Sequence, residues 1–144
     1  MIRLATPDDF EPVTALVAEF CEIDGHEFDA DRVEGALRSL LESDAYGVVW
    51  LVVDGERPTG YAVVTWGYAI ESGGRDALLD EIYVRDRDRG QGSALLDALL
   101  EDCRRRGLSQ IFLETEPHNE RVRGFYTRHG FVVDPSVWMS RPLT

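Results

Sequence analysis

The sequence predicts an α/β fold: a mixed, mostly antiparallel central sheet with helices on both faces. Two observations carry this. The apolar pattern switches between helical and strand period in the order βααββ and then βαβαββ along 144 residues. The middle of the chain also reads as an antiparallel hairpin, whereas the second half alternates strand and helix, which brings strands parallel. Apolar residues make up 44% of the chain, enough to fill a core. No repeat, low-complexity stretch or linker divides it, so one domain spanning residues 1–144 is expected.

Residues 2–5 form the first strand. Thr6 stands as an N-cap with Pro7 at the first helical position, and Asp8 and Asp9 complement the dipole. Phe10, Val13, Val17 and Phe20 then give a helix near 8–22 its apolar stripe. An acidic loop, 22–28, ends on Phe28. Asp29-Ala-Asp31 starts a second helix, with Val33, Leu37, Leu40 and Leu41 on one side. Tyr46–Val53 and Gly60–Ile70 are β-rich runs joined by the turn 54–57. A flexible stretch, 71–75, leads to a third run, Leu78–Val84. After a loop comes a helix over about 92–106 closed by Gly107, the strand Gln110–Glu114, and a short helix over about 119–129 stopped by Gly130. Two short strands, Phe131–Val133 and Val137–Ser140, finish the chain.

Charge narrows the function classes. Fifteen basic residues face 27 acidic ones, a formal net charge of −12, and every basic residue is Arg. Without Lys, Schiff-base chemistry and the G-x-x-x-x-G-K-[ST] phosphate loop are both excluded. Nucleic acid is disfavoured as a partner, because phosphate neutralisation needs a basic face. A cationic substrate suits this field better. Cys21 and Cys103 are far apart in sequence and read as free thiols in a reducing compartment. The N-terminus lacks the n- and h-regions of a signal peptide, and no apolar run approaches the ~20 residues of a membrane helix, so a cytoplasmic location is expected. His26, His118 and His129 show no ligand spacing, so no metal is expected. Ser93 lacks the frame of a hydrolase nucleophile.

The stretch Ile82-Tyr-Val-Arg-Asp-Arg-Asp-Arg-Gly-Gln-Gly-Ser-Ala-Leu-Leu96 carries the chemistry. It is a buried strand, an Arg- and Gly-rich loop, and the first turn of an amphipathic helix. Glycines allow close backbone approach, and the N–H groups of a helix start bind phosphate oxygens, so a phosphate or pyrophosphate ligand follows. A dinucleotide fingerprint beginning at Gly90-Gln-Gly92, with Glu114 as its acidic partner, fails in three places. Leu95 occupies the third glycine position, five residues separate Val84 from Gly90, and the preceding elements form an antiparallel hairpin.

Arg89-Gly-Gln-Gly92-Ser-Ala94 resembles the [QR]-x-x-G-x-[GA] acetyl-CoA motif of the GNAT superfamily of N-acetyltransferases. Leu79-Asp-Glu-Ile-Tyr-Val84 resembles the strand before that motif. Asn119-Glu-Arg-Val122-Arg-Gly-Phe125-Tyr126-Thr-Arg-His-Gly130-Phe131 resembles the family's C-terminal N-x-x-A-x-x-F-Y-x-x-x-G-F segment, with Val122 in place of the usual Ala. The element order agrees as well, including two helices between the first strands.

The resemblance implies a GNAT-like sheet whose two central parallel strands splay apart, with the pantetheine arm of acetyl-CoA in the gap. Backbone groups of Ile82, Tyr83 and Val84 would border that arm. Amides from Arg89, Gly90, Gln91, Gly92, Ser93 and Ala94 would hold the pyrophosphate, and an amide near Ile82 would polarise the thioester. Asn119 would touch the cofactor arm, cap the last helix, or do both. Tyr126 would border the sulfur and protonate the departing thiolate. Asp80 and Glu81 resemble the Glu-Asp pair of polyamine-type members in reversed order. Strand alternation lets at most one of them point into the site, and Asp80 is favoured by position. Glu22, Asp24 and Glu27 in the first interhelical loop, Phe28 at its end, and Glu71 after the third strand would border the acceptor, with Tyr68 and Tyr83 as aromatic neighbours. The implied activity is direct transfer from acetyl-CoA to a cationic small-molecule or peptide amine. The rival is a non-catalytic acyl-CoA-binding module on the same fold, and a homodimer is left open.

Overall fold

In the computed structural model, five strands form one sheet in the order β1-β2-β3-β4-β5. All residues are described except the side chain of Asp88. The strands are β1 (Ile2–Leu4), β2 (Gly47–Asp54), β3 (Arg57–Ala69), β4 (Gly74–Val84) and β5 (Ile111–Phe112). The helices are α1 (Phe10–Asp24), α2 (Ala30–Glu42), α3 (Gln91–Arg105) and α4 (Glu120–Arg128). Neighbouring strands from β1 to β4 run antiparallel, and β4 and β5 run parallel. The chain divides into two compact units, Met1–Leu113 and Glu114–Thr144, and each is described by itself.

In the first unit the sheet is covered on both faces. Residues 47–53 of β2 are buried without alternation, as expected for a strand with helices above and below. Val49, Leu51 and Val53 join Tyr61, Val63 and Tyr83 in one cluster with Val13, Leu16 and Val17 of α1 and Leu37 and Leu41 of α2. Val48, Trp50, Val52, Ala62 and Val64 alternate with these residues and are buried on the opposite face. There α3 packs against β2, β3 and β4 and brings in Leu95, Leu96 and Leu99. No helix among the described residues is long and apolar enough to cross a membrane.

The expected helix near residue 8 starts as a 3-10 turn, Pro7–Asp9, that runs into α1. Its Asp9 ties three pieces together. The carboxylate accepts from the Thr6 N–H at 2.8 Å and takes a two-pronged bond from Arg3, at 2.8 and 2.9 Å. Strand β1, the turn and α1 are thereby locked to one another. Helix α1 closes on Gly25 in the left-handed region (φ 72°), a conformation that favours glycine.

The second unit departs from the sequence reading. Helix α4 forms and is capped by Asn119, whose side chain accepts from the Val122 N–H at 3.2 Å. The two final strands, Phe131–Val133 and Val137–Ser140, do not form: beyond α4 no residue has a ladder partner among the described residues. Val132, Val133, Val137, Trp138 and Met139 are all largely exposed. β-propensity in these residues measures their fit to a half-buried pleated surface, and without a neighbouring strand it has nothing to act on.

The Arg3 and Thr6 bonds lower the Asp9 carboxyl to about 2. A depressed carboxyl stabilises the fold above its unfolded value, and that contribution disappears as pH falls through the folded one. Asp9→Asn should therefore cost about 2 kcal/mol at neutral pH, with the gap to wild type closing between roughly pH 4 and pH 2. Urea unfolding across that range checks it, and a gap independent of pH would assign the loss to packing.

Candidate functional site

The site is organised by one irregularity in β4. Val63 of β3 faces Glu81, but its neighbour Val64 faces Leu79, so Asp80 is an extra residue with no counterpart on β3. Such a bulge reverses the phase of everything beyond it. Before it, Leu79 lies opposite Val64, on the face that α3 covers. After it, Glu81 and Tyr83 lie opposite Val63 and Tyr61, on the face that α1 and α2 cover. Without the extra residue, positions 79, 81 and 83 would share a face.

The same slip re-aims the backbone. The Ala77 N–H donates toward β5, to the Gln110 carbonyl at 2.9 Å. Past the bulge the Arg85 N–H donates the other way, to Thr59 on the β3 side, at 3.0 Å. Alternation from Arg85 then turns Tyr83 toward β3 and leaves Ile82 and Val84 with N–H and C=O directed away from it. On that outer edge β5 pairs only at Ala77↔Ile111 and Leu78↔Phe112. The parallel pair thus parts after Phe112 while β4 continues to Val84. The result is an unpaired strand edge suited to a ligand that carries amides.

Beyond β4 a 3-10 turn, Arg87–Arg89, runs into α3 through Gly90. Gly90 is left-handed (φ 71°), and a Cβ there would meet open space. The first bond of the helix runs from the Ala94 N–H to the Gly90 carbonyl at 3.1 Å. The amides of Gln91 and Gly92 precede that bond and have no acceptor within the helix. Gln91 Oε1 is buried without a donor among the described residues. Open amides at the start of a 15-residue helix fit a phosphate-bearing ligand, whereas the Gln91 carbonyl oxygen, an acceptor, would need a donor from some other group. Two of the arginines are engaged locally: Arg89 pairs with Asp86 at 2.8 Å and Arg85 with Glu19 at 2.9 Å.

On the α1 side of β4 lies a cluster of acids and aromatic rings. The Tyr61 hydroxyl donates to Glu81 Oε1 at 2.6 Å, and the Tyr83 hydroxyl donates to Glu19 Oε2 at 2.6 Å. Phe20 stacks on Tyr83 with centroids 5.4 Å apart and meets Tyr61 edge-on at 6.5 Å. Burial pushes the Glu81 carboxyl up, the Tyr61 hydrogen bond opposes this, neighbouring Asp80 adds to the rise, and His26 counters it. Arg85 and Tyr83 hold Glu19 below the usual carboxylate range. Burial and the Glu19 charge push Tyr83 up to about 12. Asp80 itself is exposed.

The residues expected around an acceptor are less closely assembled. Asp24 bonds His26 at 3.0 Å, and Phe28 packs against the α1–α2 core. Glu22, Glu27 and Glu71 are exposed, and no hydrogen bond or ion pair among the described residues joins them to Glu81. Tyr68 is exposed, whereas the Tyr83 ring is buried. In the second unit Tyr126 is 8% exposed, between Phe125 and Phe131, with centroids at 5.2 and 5.5 Å. Burial pushes its phenol up to about 12. Sequence reasoning did not single out Glu19, Phe20 or Tyr61 for the site. Phe20 was read as part of the apolar stripe, and the signal for Glu19 was its place beside that stripe.

The profile of the Acetyltransferase (GNAT) family matches residues 13–131. Serotonin N-acetyltransferase 2, chloroplastic, of Oryza sativa subsp. japonica is 35% identical over 106 residues, which are 72% of this chain but only 50% of the rice protein. The uncharacterised N-acetyltransferase YhfO of Bacillus subtilis is 24% identical over 135 residues, 92% of this chain and 90% of its own. Among solved structures, an integron cassette protein from the mobile metagenome of Cole Harbour Salt Marsh superposes with a TM-score of 0.89 at 28% identity, over 99% of this chain and 90% of that one. A proposed acetyltransferase from Arthrobacter sp. FB24 gives 0.86 at 32% identity, over 99% and 96%.

Gly90 offers a test of the loop that is free of packing effects. Because a Cβ there meets nothing, Gly90→Ala should lose only the cost of a left-handed backbone, about 1–2 kcal/mol. Gly90→Asn should lose less, since Asn tolerates that region better. Equal losses in denaturant melts would point away from backbone strain.

Proposed function

The chain belongs to the GNAT acetyltransferase family, and on that premise we propose that it transfers an acetyl group from acetyl-CoA directly to an amine. The observation that carries this reading is the unpaired β4 edge at Ile82 and Val84, which leads into the open amides of Gln91 and Gly92. A pantetheine arm is an extended chain with two amides and would pair with such an edge as an added strand. Its pyrophosphate would then meet the start of α3, where backbone N–H groups and the helix dipole favour anions. Acetyl-CoA supplies the thioester when bound.

The chain's own residues would then manage protons. Amines are mostly protonated at pH 7, so a base must take a proton before attack. Glu81 suits this role better than Asp80. Its burial raises its proton affinity, as a base working near neutrality requires, whereas Asp80 is exposed. Tyr126 is the acid in this reading. Burial pushes its phenol up to about 12, which keeps it protonated throughout the neutral range but makes it a weaker acid than the thiol it would form, whose ordinary value is about 8.5, so the proton transfer runs uphill. The backbone N–H of Ile82 would face the thioester oxygen as negative charge develops there. Asn119 would reach the cofactor arm with whatever bonding its cap leaves over.

The acceptor we propose is a cationic small molecule or an amine on a basic peptide. Support comes from the net charge of −12 and from the exposed acids Glu22, Asp24, Glu27 and Glu71. Thiol release from acetyl-CoA across a panel of amines tests the activity. Turnover should favour polyamines or basic peptides over neutral amines of equal length, and salt should erode the preference. Cofactor binding without turnover on any amine would contradict the enzyme reading. Glu81→Gln and Tyr126→Phe should each lower kcat by about 10²-fold with little change in acetyl-CoA affinity by calorimetry. Wild-type kcat in either variant would remove that residue from the chemistry.

A further inference from the structure

Glu81 is held by a residue from a different strand. Tyr61 is fully buried on β3, and its hydroxyl donates to Glu81 Oε1 at 2.6 Å. Its ring is fixed edge-on by Phe20 from α1, at 6.5 Å, and by Tyr83 from β4, at 6.3 Å. The register places Glu81 beside Tyr83, opposite Val63 and diagonal to Tyr61, only because the bulge at Asp80 rotates Glu81 onto this face. Glu81 is half-buried, and a carboxylate with a single fixed donor has one oxygen committed and one available. We infer that Tyr61 is a positioning residue for proton transfer: it anchors Glu81 through Oε1 and presents Oε2 to the incoming amine. This deepens the proposal that Glu81 is the base and rests on it.

The physical consequence has a definite sign. A hydrogen bond to the ionised form of an acid favours that form. Burial works in the opposite direction at Glu81, so Tyr61 keeps a carboxylate charged where its surroundings would neutralise it. The Tyr61 hydroxyl can act only as a donor here, because burial and the Glu81 charge push its own ionisation far above the ordinary phenol value. The other groups facing this pair are Asp80 on β4, Cys21 on α1, and His26 and Asp24 at the end of α1. Asp80 raises Glu81 and His26 lowers it, while Cys21 is raised by burial and by the charges of Glu81 and Asp24.

Tyr61→Phe removes one oxygen and keeps the ring that packs against Phe20 and Tyr83. Two readouts apply, one of them independent of catalysis. In the ligand-free protein, carboxyl ¹³C NMR should show the Glu81 titration midpoint moving up by about one unit in Tyr61→Phe. The acidic limb of kcat/KM should move up by the same amount, with about tenfold lower activity below the limb and recovery to the wild-type plateau above it. A merely structural role would lower kcat/KM at every pH and leave the limb in place, and that result would overturn the inference. An unmoved Glu81 midpoint would overturn it as well. Glu81→Gln separates the two levels: wild-type turnover in that variant would overturn the base reading, and with it any catalytic meaning of Tyr61, whatever the NMR shows.

Discussion

The extra residue at Asp80 is the constraint on which the rest of the site depends. A strand without it would send Leu79, Glu81 and Tyr83 to one face and turn Ile82 and Val84 back toward β3. With it, Leu79 seals the α3 side, Glu81 and Tyr83 join the α1 side, and the backbone of Ile82 and Val84 faces outward. The parting of β4 from β5 after Phe112 gives that outward edge its use. Bulges break a ladder and leave one residue unpaired, and here the break falls where the chemistry is proposed. Side-chain placement and backbone exposure therefore have one common cause.

Electrostatics acts on top of this geometry. Although the chain carries −12, the buried and half-buried acids Asp9, Glu19 and Glu81 are individually managed. Asp9 is tied by Arg3 and Thr6, and Glu19 by Arg85 and Tyr83, and both are held low as a result. Glu81 is the contrast: burial raises it, and no Arg ion-pairs with it among the described residues. An acid paired with a guanidinium stabilises structure but makes a poor base, whereas one held by a neutral hydroxyl remains able to take a proton. The ion pair of Arg85 with Glu19 also ties the end of β4 to α1, just before the loop that leads into α3.

Much of the fold was legible because its signals are local. Thr6 and Pro7 announce the first helix, Gly107 closes α3, and the Arg- and Gly-rich loop marks the start of α3 whatever surrounds it. What the sequence did not show depends on register. Strict alternation along Leu79–Val84 is the natural reading of that run and lets only one of Asp80 and Glu81 face the site, of which position favoured Asp80; the inserted residue that breaks the alternation has no signature of its own. The Tyr61–Glu81 and Tyr83–Glu19 bonds span 20 and 64 positions and exist only once β3, β4 and α1 are aligned. The final strands were misread for a related reason, since Val132, Val133 and Val137 have strand composition but no strand partner among the described residues. Gln110–Glu114 likewise pairs only at Ile111 and Phe112, because β4 offers its edge to β5 no further.

The most direct test of this account is amide hydrogen exchange along β4 and the start of α3, with and without saturating acetyl-CoA. If the outward edge receives the pantetheine arm, exchange should slow at Ile82 and Val84 and at Gln91 and Gly92. Tyr83, already turned toward β3, should be unchanged. Alternating protection of this kind would follow directly from the phase set at Asp80. Acetyl-CoA binding that leaves Ile82 and Val84 exchanging as in the free protein would contradict it.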